Sequence, residues 1–389
     1  MTSSVSFSFK WGTTNLMSVS RTYSGAPKLP GVDGLRALGI VYVFMYHVGY
    51  HPNFSFGLLK VSDVLSRGFL GVDLFIVLSG FCLYWPVANA SKPFDVRQYF
   101  LRRFWRIAPA YYMSILVMLL MPNALVILMK LLHKPATWQE VPGLVQILTH
   151  LTFTHALHPD TWGGIQGAYW SLGLEAQLYV AFPLVLIAVK KLGVPVTTIC
   201  MWLITVAWSY IWPNVFPSGE FAASLSIFGR WGHFAAGMLV AHICRGANRK
   251  NHWGLGLLGL TLVVLGQVSI VREISLIPAT DLCSLSGFAL ILMSAVQPAG
   301  VPTIFSSKPL VYLGTISYSI FLLHQNIMWF FGELLKKIVH VPESMMFPIF
   351  MTIGFGMIVV LASFWYRWFE VRFAKGWSAA FAKVEKSSP

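Results

Sequence analysis

Apolar residues along this chain gather into long stretches instead of alternating with polar ones. Ten of those stretches approach the ~20 residues that a helix needs to cross a hydrocarbon core of about 30 Å. They run at about 34–51, 69–89, 108–131, 169–189, 195–212, 222–243, 254–271, 276–297, 309–332 and 346–366. The segment 142–155 is too short to span and is interrupted by Thr149, His150, Thr152 and His155, so it reads as interfacial or re-entrant. The expected fold is therefore all-α, a polytopic integral membrane protein of about ten transmembrane helices. The membrane domain covers 31–372, between a flexible tail at 1–30 and a short tail at 373–389.

Composition agrees, since 56% hydrophobic and 11% charged residues are more apolar surface than a soluble fold of this length buries. The formal charge of +14 does not point to nucleic acid, because the basic residues sort by loop. With the N-terminus in the cytoplasm, twenty fall on the inner side, among them Arg36, Arg97, Arg102, Arg103, Arg106, Lys190, Lys191, Arg367 and Arg372. Seven fall outside, and Arg230 alone lies in the interior of a stretch, away from its ends. The positive-inside rule then puts both termini in the cytoplasm and makes the span count even. Cys82, Cys200, Cys244 and Cys283 lie in or at the end of apolar stretches and suggest no disulfide framework. The first 30 residues lack the continuous apolar run of a signal peptide. No internal repeat of the kind common in secondary transporters is evident.

Ionisable side chains at membrane depth are expensive and so are functional candidates, with interhelical structural pairs as the alternative. The strongest is His47. It lies eleven residues after Arg36 on the first stretch, which is about 20° past three turns, so the two share a face about 16 Å apart along the axis. Counted from the inner boundary, His47 stands about 21 Å up, and His324 on the ninth stretch about as high. Asp73 and Glu175 descend from the outer side, four and six residues into their stretches, and are expected in the same outer third. A carboxylate can orient one imidazole nitrogen of His47 while the other accepts a proton from an acceptor hydroxyl. Asp73 is the better candidate for that orienter because its stretch forms a hairpin with the first, and Glu175 is then a second base or an acceptor ligand.

Arg102, Arg103 and Arg106 precede the third stretch on the same side as Arg36. They anchor topology or, with the fixed fork of the guanidinium, hold an anionic cofactor by bidentate phosphate contacts. Trp170 opens the fourth stretch in an aromatic belt. Arg230 and His233, near one turn apart, are candidates for acceptor binding and could equally be a structural pair. Gly68, Gly71 and Gly80 read as helix packing. No metal-ligand spacing, phosphate-binding glycine loop or nucleophile elbow is present, so no metal is expected.

Five segments carry a resemblance. They are Val32 to His47, Gly71 to Phe81 (GVDLFIVLSGF), Arg102 to Pro109 (RRFWRIAP), Trp170 to Glu175 (WSLGLE) and Leu313 to His324 (LGTISYSIFLLH). In this order they resemble the bacterial membrane acyltransferases of acyltransferase family 3, which O-acylate surface polysaccharides, lipo-oligosaccharide signals and macrolide sugars. The resemblance implies a ten-helix core in the cytoplasmic (inner) membrane and an acyl-coenzyme A donor, acetyl-coenzyme A in the simplest case. It also implies a catalytic role for His47 and essential roles for Arg36 and the arginine cluster. The acceptor would be a carbohydrate or glycolipid, with His324, Trp170, Arg230 and His233 as candidates for holding it. Where the family's last motif commonly has a proline two residues after the histidine, this chain has Asn326. Some relatives append an extracytoplasmic hydrolase-like domain, whereas this chain stops soon after the tenth stretch, so it is expected to act without one or with a separate partner.

Two other classes compete with an O-acyltransferase. A transporter or flippase of a glycan or lipid-linked sugar would use the buried charges as a proton relay, but leaves the arginine cluster without a role. A non-catalytic scaffold leaves the charges at common depth unexplained.

Overall fold

The computed structural model describes residues 29–49, 55–56, 59–90, 93–135, 142–158, 160–215, 226–245, 253–267, 277–296 and 304–374. Both predicted tails lie almost wholly outside these residues. Apart from a two-residue antiparallel ladder between Ser55–Phe56 and Leu59–Lys60, the regular structure is helical. In chain order the longer helices are α1 (Pro30–Val48), α2 (Leu70–Ala88), α3 (Val96–Leu131), α4 (Trp170–Leu192) and α5 (Val194–Val215). They continue with α6 (Ile227–Cys244), α7 (Trp253–Leu265), α8 (Ile277–Ala295), α9 (Ser317–Leu334) and α10 (Phe355–Trp365).

Local signals explain several boundaries. Proline at the first position of α1 costs no hydrogen bond there, and Gly49 ends the helix in the left-handed region with φ of 73°. Asp95 caps α3 by accepting from Gln98 N at 2.9 Å, and Ser226 caps α6 by accepting from Gly229 N at 3.2 Å. The cap at Asp95 starts α3 a dozen residues before the predicted stretch at 108. Its 36 residues rise about 54 Å, well beyond a ~30 Å core, so the arginine cluster rides on a rigid extension of the helix.

Among the described residues, five helical segments are long and apolar enough to cross a membrane by length and composition: Leu70–Ala88, Val96–Leu131, Gly167–Leu192, Val194–Trp212 and Glu343–Ala374. Helices α1, α6 and α9 have 18 or 19 residues but carry the polar groups of the site, including Arg36, His47, Arg230, His233 and His324. Helix α7 and the apolar part of α8 are shorter. Large apolar side chains such as Leu120, Leu131, Val180, Leu184, Leu257 and Phe364 stand exposed on the outer faces of the bundle. Such faces suit lipid and would be a liability in water, as expected of a membrane protein.

Helix α2 is the central element, packed against α1, α6 and α8. Glycines set the close approaches. A Cβ at Gly80 would stand 1.9 Å from Phe234 O, and one at Gly237 1.9 Å from Val77 O, so α2 and α6 touch backbone to backbone. Gly68 and Gly71 likewise face the backbone of α1 at Tyr42 and Gly39.

Candidate active site

His47 occupies the last turn of α1, half-buried, with its Nδ1 2.8 Å from Val43 O. A carbonyl only accepts, so this contact assigns the hydrogen to Nδ1. Helix α9 brings His324, fully buried, against the same atom. Its own Nδ1 lies 2.7 Å from Phe321 O, and its Nε2 lies 3.2 Å from Nδ1 of His47. By the same reasoning Nε2 of His324 carries a lone pair and shares the Nδ1 hydrogen of His47 with Val43 O. This leaves Nε2 of His47 unprotonated, and the residue lines a cavity of about 350 Å³ with Gln325, Trp329, Glu333 and Lys336. A neutral imidazole held in this tautomer can take a proton from a hydroxyl, and the charge it gains is met by Val43 O and Nε2 of His324.

At the other end of α1, Arg36 pairs with Asp33 at 3.0 Å and donates from Nη2 to Cys82 Sγ at 3.2 Å. Arg36 also lies within electrostatic range of Tyr179 on α4. Arg103 reaches the same tyrosine, its guanidinium 5.4 Å from the ring centroid and 5.8 Å from that of Tyr99. Arg102 turns back on its own helix, donating from Nε to Gln98 O at 3.2 Å. Arg106 lies within range of Tyr179 and Glu370. Arg36 and the extension of α3 thus converge on Tyr179.

The two carboxylates expected beside His47 lie elsewhere. Asp73 is buried in an ion pair with Arg230 of α6, 2.7 Å from Oδ1 to Nε. Gly71 and Phe75 are the residues of α2 that face α1 at Gly39. Asp73 is two residues from each, about 200° around the helix, and so points to α6. The hairpin of α1 and α2 is present, but the orienter of His47 is His324. Glu175 accepts from Ser79 Oγ at 3.2 Å and from the hydroxyl of Tyr179. Its displacement follows from the segment before α4. Ala168 N donates to Gln325 Oε1 at 2.9 Å, so α4 starts level with His324, not above it. Glu175, seven residues on, lies about 10 Å further toward Arg36. Tyr169 is sealed in at that level, its hydroxyl bonded to Ser114 Oγ and Leu322 O.

His233 follows Arg230 on α6, and its Nε2 meets Ser284 Oγ of α8 at 3.3 Å. Arg230, His233 and Asp73 form a polar network between α2, α6 and α8, away from His47, and so fit the structural pair better than an acceptor site. Trp170 is half-buried against the apolar core. The short helix Leu144–Leu151 and the turn His155–Leu157 carry a stacked pair, His150 and His155, with ring centroids 4.1 Å apart and planes within 9°. Burial drives the pKa of His150 down to about 4, assisted by the neighbouring His155, whose own pKa burial also lowers.

Sequence reasoning overlooked Tyr179, Gln325 and Glu370. Glu370 follows α10, accepts from Ser319 Oγ and lies within range of Arg106. Its signal is a carboxylate inside the otherwise basic run Arg367 to Lys375, of which the sequence reading uses only the basic residues, as markers of topology.

Comparison with known proteins fixes the class. The sequence profile of the acyltransferase domain family, acyltransferase family 3, matches residues 29–367, and the chain belongs to that family. It is similar to the O-acetyltransferase OatA of Staphylococcus aureus, 25% identical over 353 residues that cover 78% of this chain and 51% of that protein. It is also similar to the peptidoglycan O-acetyltransferase OatA of Listeria monocytogenes, 28% identical over 177 residues, 42% of this chain and 25% of that protein. The chain therefore spans about half the length, or less, of these curated relatives. No solved structure matches it.

Proposed function

We propose that this chain is a ten-span O-acyltransferase of the bacterial inner membrane, with both termini cytoplasmic, that moves an acyl group, acetyl in the simplest case, from acyl-coenzyme A to a carbohydrate hydroxyl. Membership of the acyltransferase family supports the reaction class, and peptidoglycan, the acceptor in the name of the Listeria relative, supports a glycan. The observation that carries the reading is the His47–His324 pair, which leaves one imidazole nitrogen basic beside a cavity.

In this reading Arg36, Arg102, Arg103 and Arg106 hold the anionic end of the donor on the cytoplasmic side. The pantetheine arm runs along the ~16 Å face from Arg36 to His47, past Tyr179, and presents the thioester carbon at the outer end. Nε2 of His47 removes the acceptor proton as the hydroxyl oxygen attacks. The new C–O bond forms, the C–S bond breaks, and the thiolate takes the proton back from His47. A route in which the acyl group first rests on His47 begins from the same lone pair. A transporter or flippase draws no support from the family or from this site.

The test is a proteoliposome assay with acetyl-coenzyme A labelled in the acetyl group. Free thiol that appears only with acceptor, and label that moves to the acceptor, is the expected result. Acceptor movement across the membrane without thiol release would overturn the proposal.

A further inference from the structure

The cavity beside His47 is walled by one stripe of α9 and its continuation. Gln325, Trp329, Glu333 and Lys336 follow one another at intervals of four, four and three residues, so they line a single helical face. His47 closes one side and Phe350 contributes an apolar side. The space, about 350 Å³, is at the small end of ligand sites and suits a sugar ring with its substituents better than a long chain. Its chemistry is mixed. Trp329 presents an indole that is 41% exposed, an apolar plate of the kind that packs on the C–H face of a pyranose. Gln325 commits Oε1 to Ala168 N, which leaves the donors on Nε2, while Glu333 supplies carboxylate oxygens half-buried at the rim and paired with Lys337 at 2.6 Å.

A second, wider hollow makes the contrast. It measures about 1000 Å³, opens on the outer face among α3, α9 and α10, and is lined largely by apolar and aromatic residues such as Leu323, Phe364 and Trp368, which suits hydrocarbon chains. Arg230 and His233, named from the sequence as acceptor ligands, line neither cavity.

Resting on the acyltransferase reading, we infer that the acceptor subsite is this stripe of α9: a pyranose unit of a glycan stacks on Trp329, is hydrogen-bonded by Gln325 and Glu333, and presents one hydroxyl to Nε2 of His47. Trp329 is then a specificity residue that acts on the acceptor and leaves the donor end, some 16 Å away along α1, untouched.

The experiment expresses the full chain and its variants in cells that lack it, reads the acyl content of surface glycans by mass spectrometry, and measures acetyl-coenzyme A binding to the same membranes. Trp329→Ala is expected to cut glycan acylation about tenfold, the equivalent of ~1.4 kcal/mol, while acetyl-coenzyme A binding stays within twofold. Trp329→Phe, which keeps the plate, is expected to restore most of the acylation. Unchanged acylation in Trp329→Ala overturns the inference, and so does loss of acylation together with donor binding that Trp329→Phe does not restore. The parent reading fails separately, if wild-type membranes give no acyl mass shift or if His47→Ala acylates normally.

Discussion

Nε2 of His324 stands 3.2 Å from Nδ1 of His47, across the interface of α9 and α1. One histidine thus does for the other what a carboxylate does in many hydrolytic sites: it fixes the tautomer and receives part of the charge. Because His324 is neutral, it can orient without ionising inside the apolar bundle, which is less costly than burying a carboxylate there.

In the proposed reaction His324 is therefore a positioning residue. Replacing it with Ala is expected to lower kcat for acyl transfer about 10- to 100-fold with little change in the KM for acyl-coenzyme A, because only the general base loses its orientation. His324→Gln, which can still place a polar atom near Nδ1 of His47, is expected to recover part of the loss. Equal losses in both variants, with a raised donor KM, would count against a positioning role.

The Asp73–Arg230 pair predicts a different phenotype. Removing one partner strands a buried charge at a cost of about 3–5 kcal/mol, so Arg230→Ala is expected to lower the melting temperature in detergent markedly. The double variant Asp73→Asn with Arg230→Gln, which removes both charges, is expected to be much closer to wild type in stability and to retain transfer. A double variant of native stability that has lost all transfer would return Asp73 to the chemistry.

The stacked histidines predict acid sensitivity of the segment at 142–169. Folding holds His150 at a pKa of about 4, below the ordinary histidine value near 6.5, so the open segment binds a proton that the packed one resists. Its packing is fully stabilised above about pH 6.5 and weakens as the pH falls toward 4. Amide exchange in 144–157, corrected for intrinsic rates, is expected to speed up from pH 7 to pH 5 more than in α2. The groups facing the pair are Tyr111, the Gln146 carbonyl and the Tyr169 carbonyl, none of which titrates in that window by its ordinary chemistry. Exchange that tracks α2 at both pH values would contradict this reading.

Much of this arrangement was legible by counting along helices. The shared level of His47 and His324 needed only residue number and rise, and the two side chains do meet. The close approaches at Gly68, Gly71 and Gly80 followed from small residues on apolar helices. What counting could not supply was azimuth and entry depth. Asp73 lies on the α2 face opposite Gly71 and Phe75, which depends on which side α1 packs. Glu175 lies low because the segment before α4 sinks to the level of Gln325, and no periodicity announces a chain that reaches that level of the bundle before its helix begins. The length of α3 was hidden for another reason: its polar first turns look like a loop until the Asp95 cap is recognised.

The central claim is that the lone pair on Nε2 of His47 starts the chemistry. The most direct measurement is acceptor-dependent thiol release from acetyl-coenzyme A by His47→Ala in proteoliposomes, normalised to inserted protein. The account predicts a fall of at least about 10²-fold, the scale of a lost general base, with acetyl-coenzyme A binding preserved at the Arg36 end. Turnover within a fewfold of wild type in that variant would contradict it.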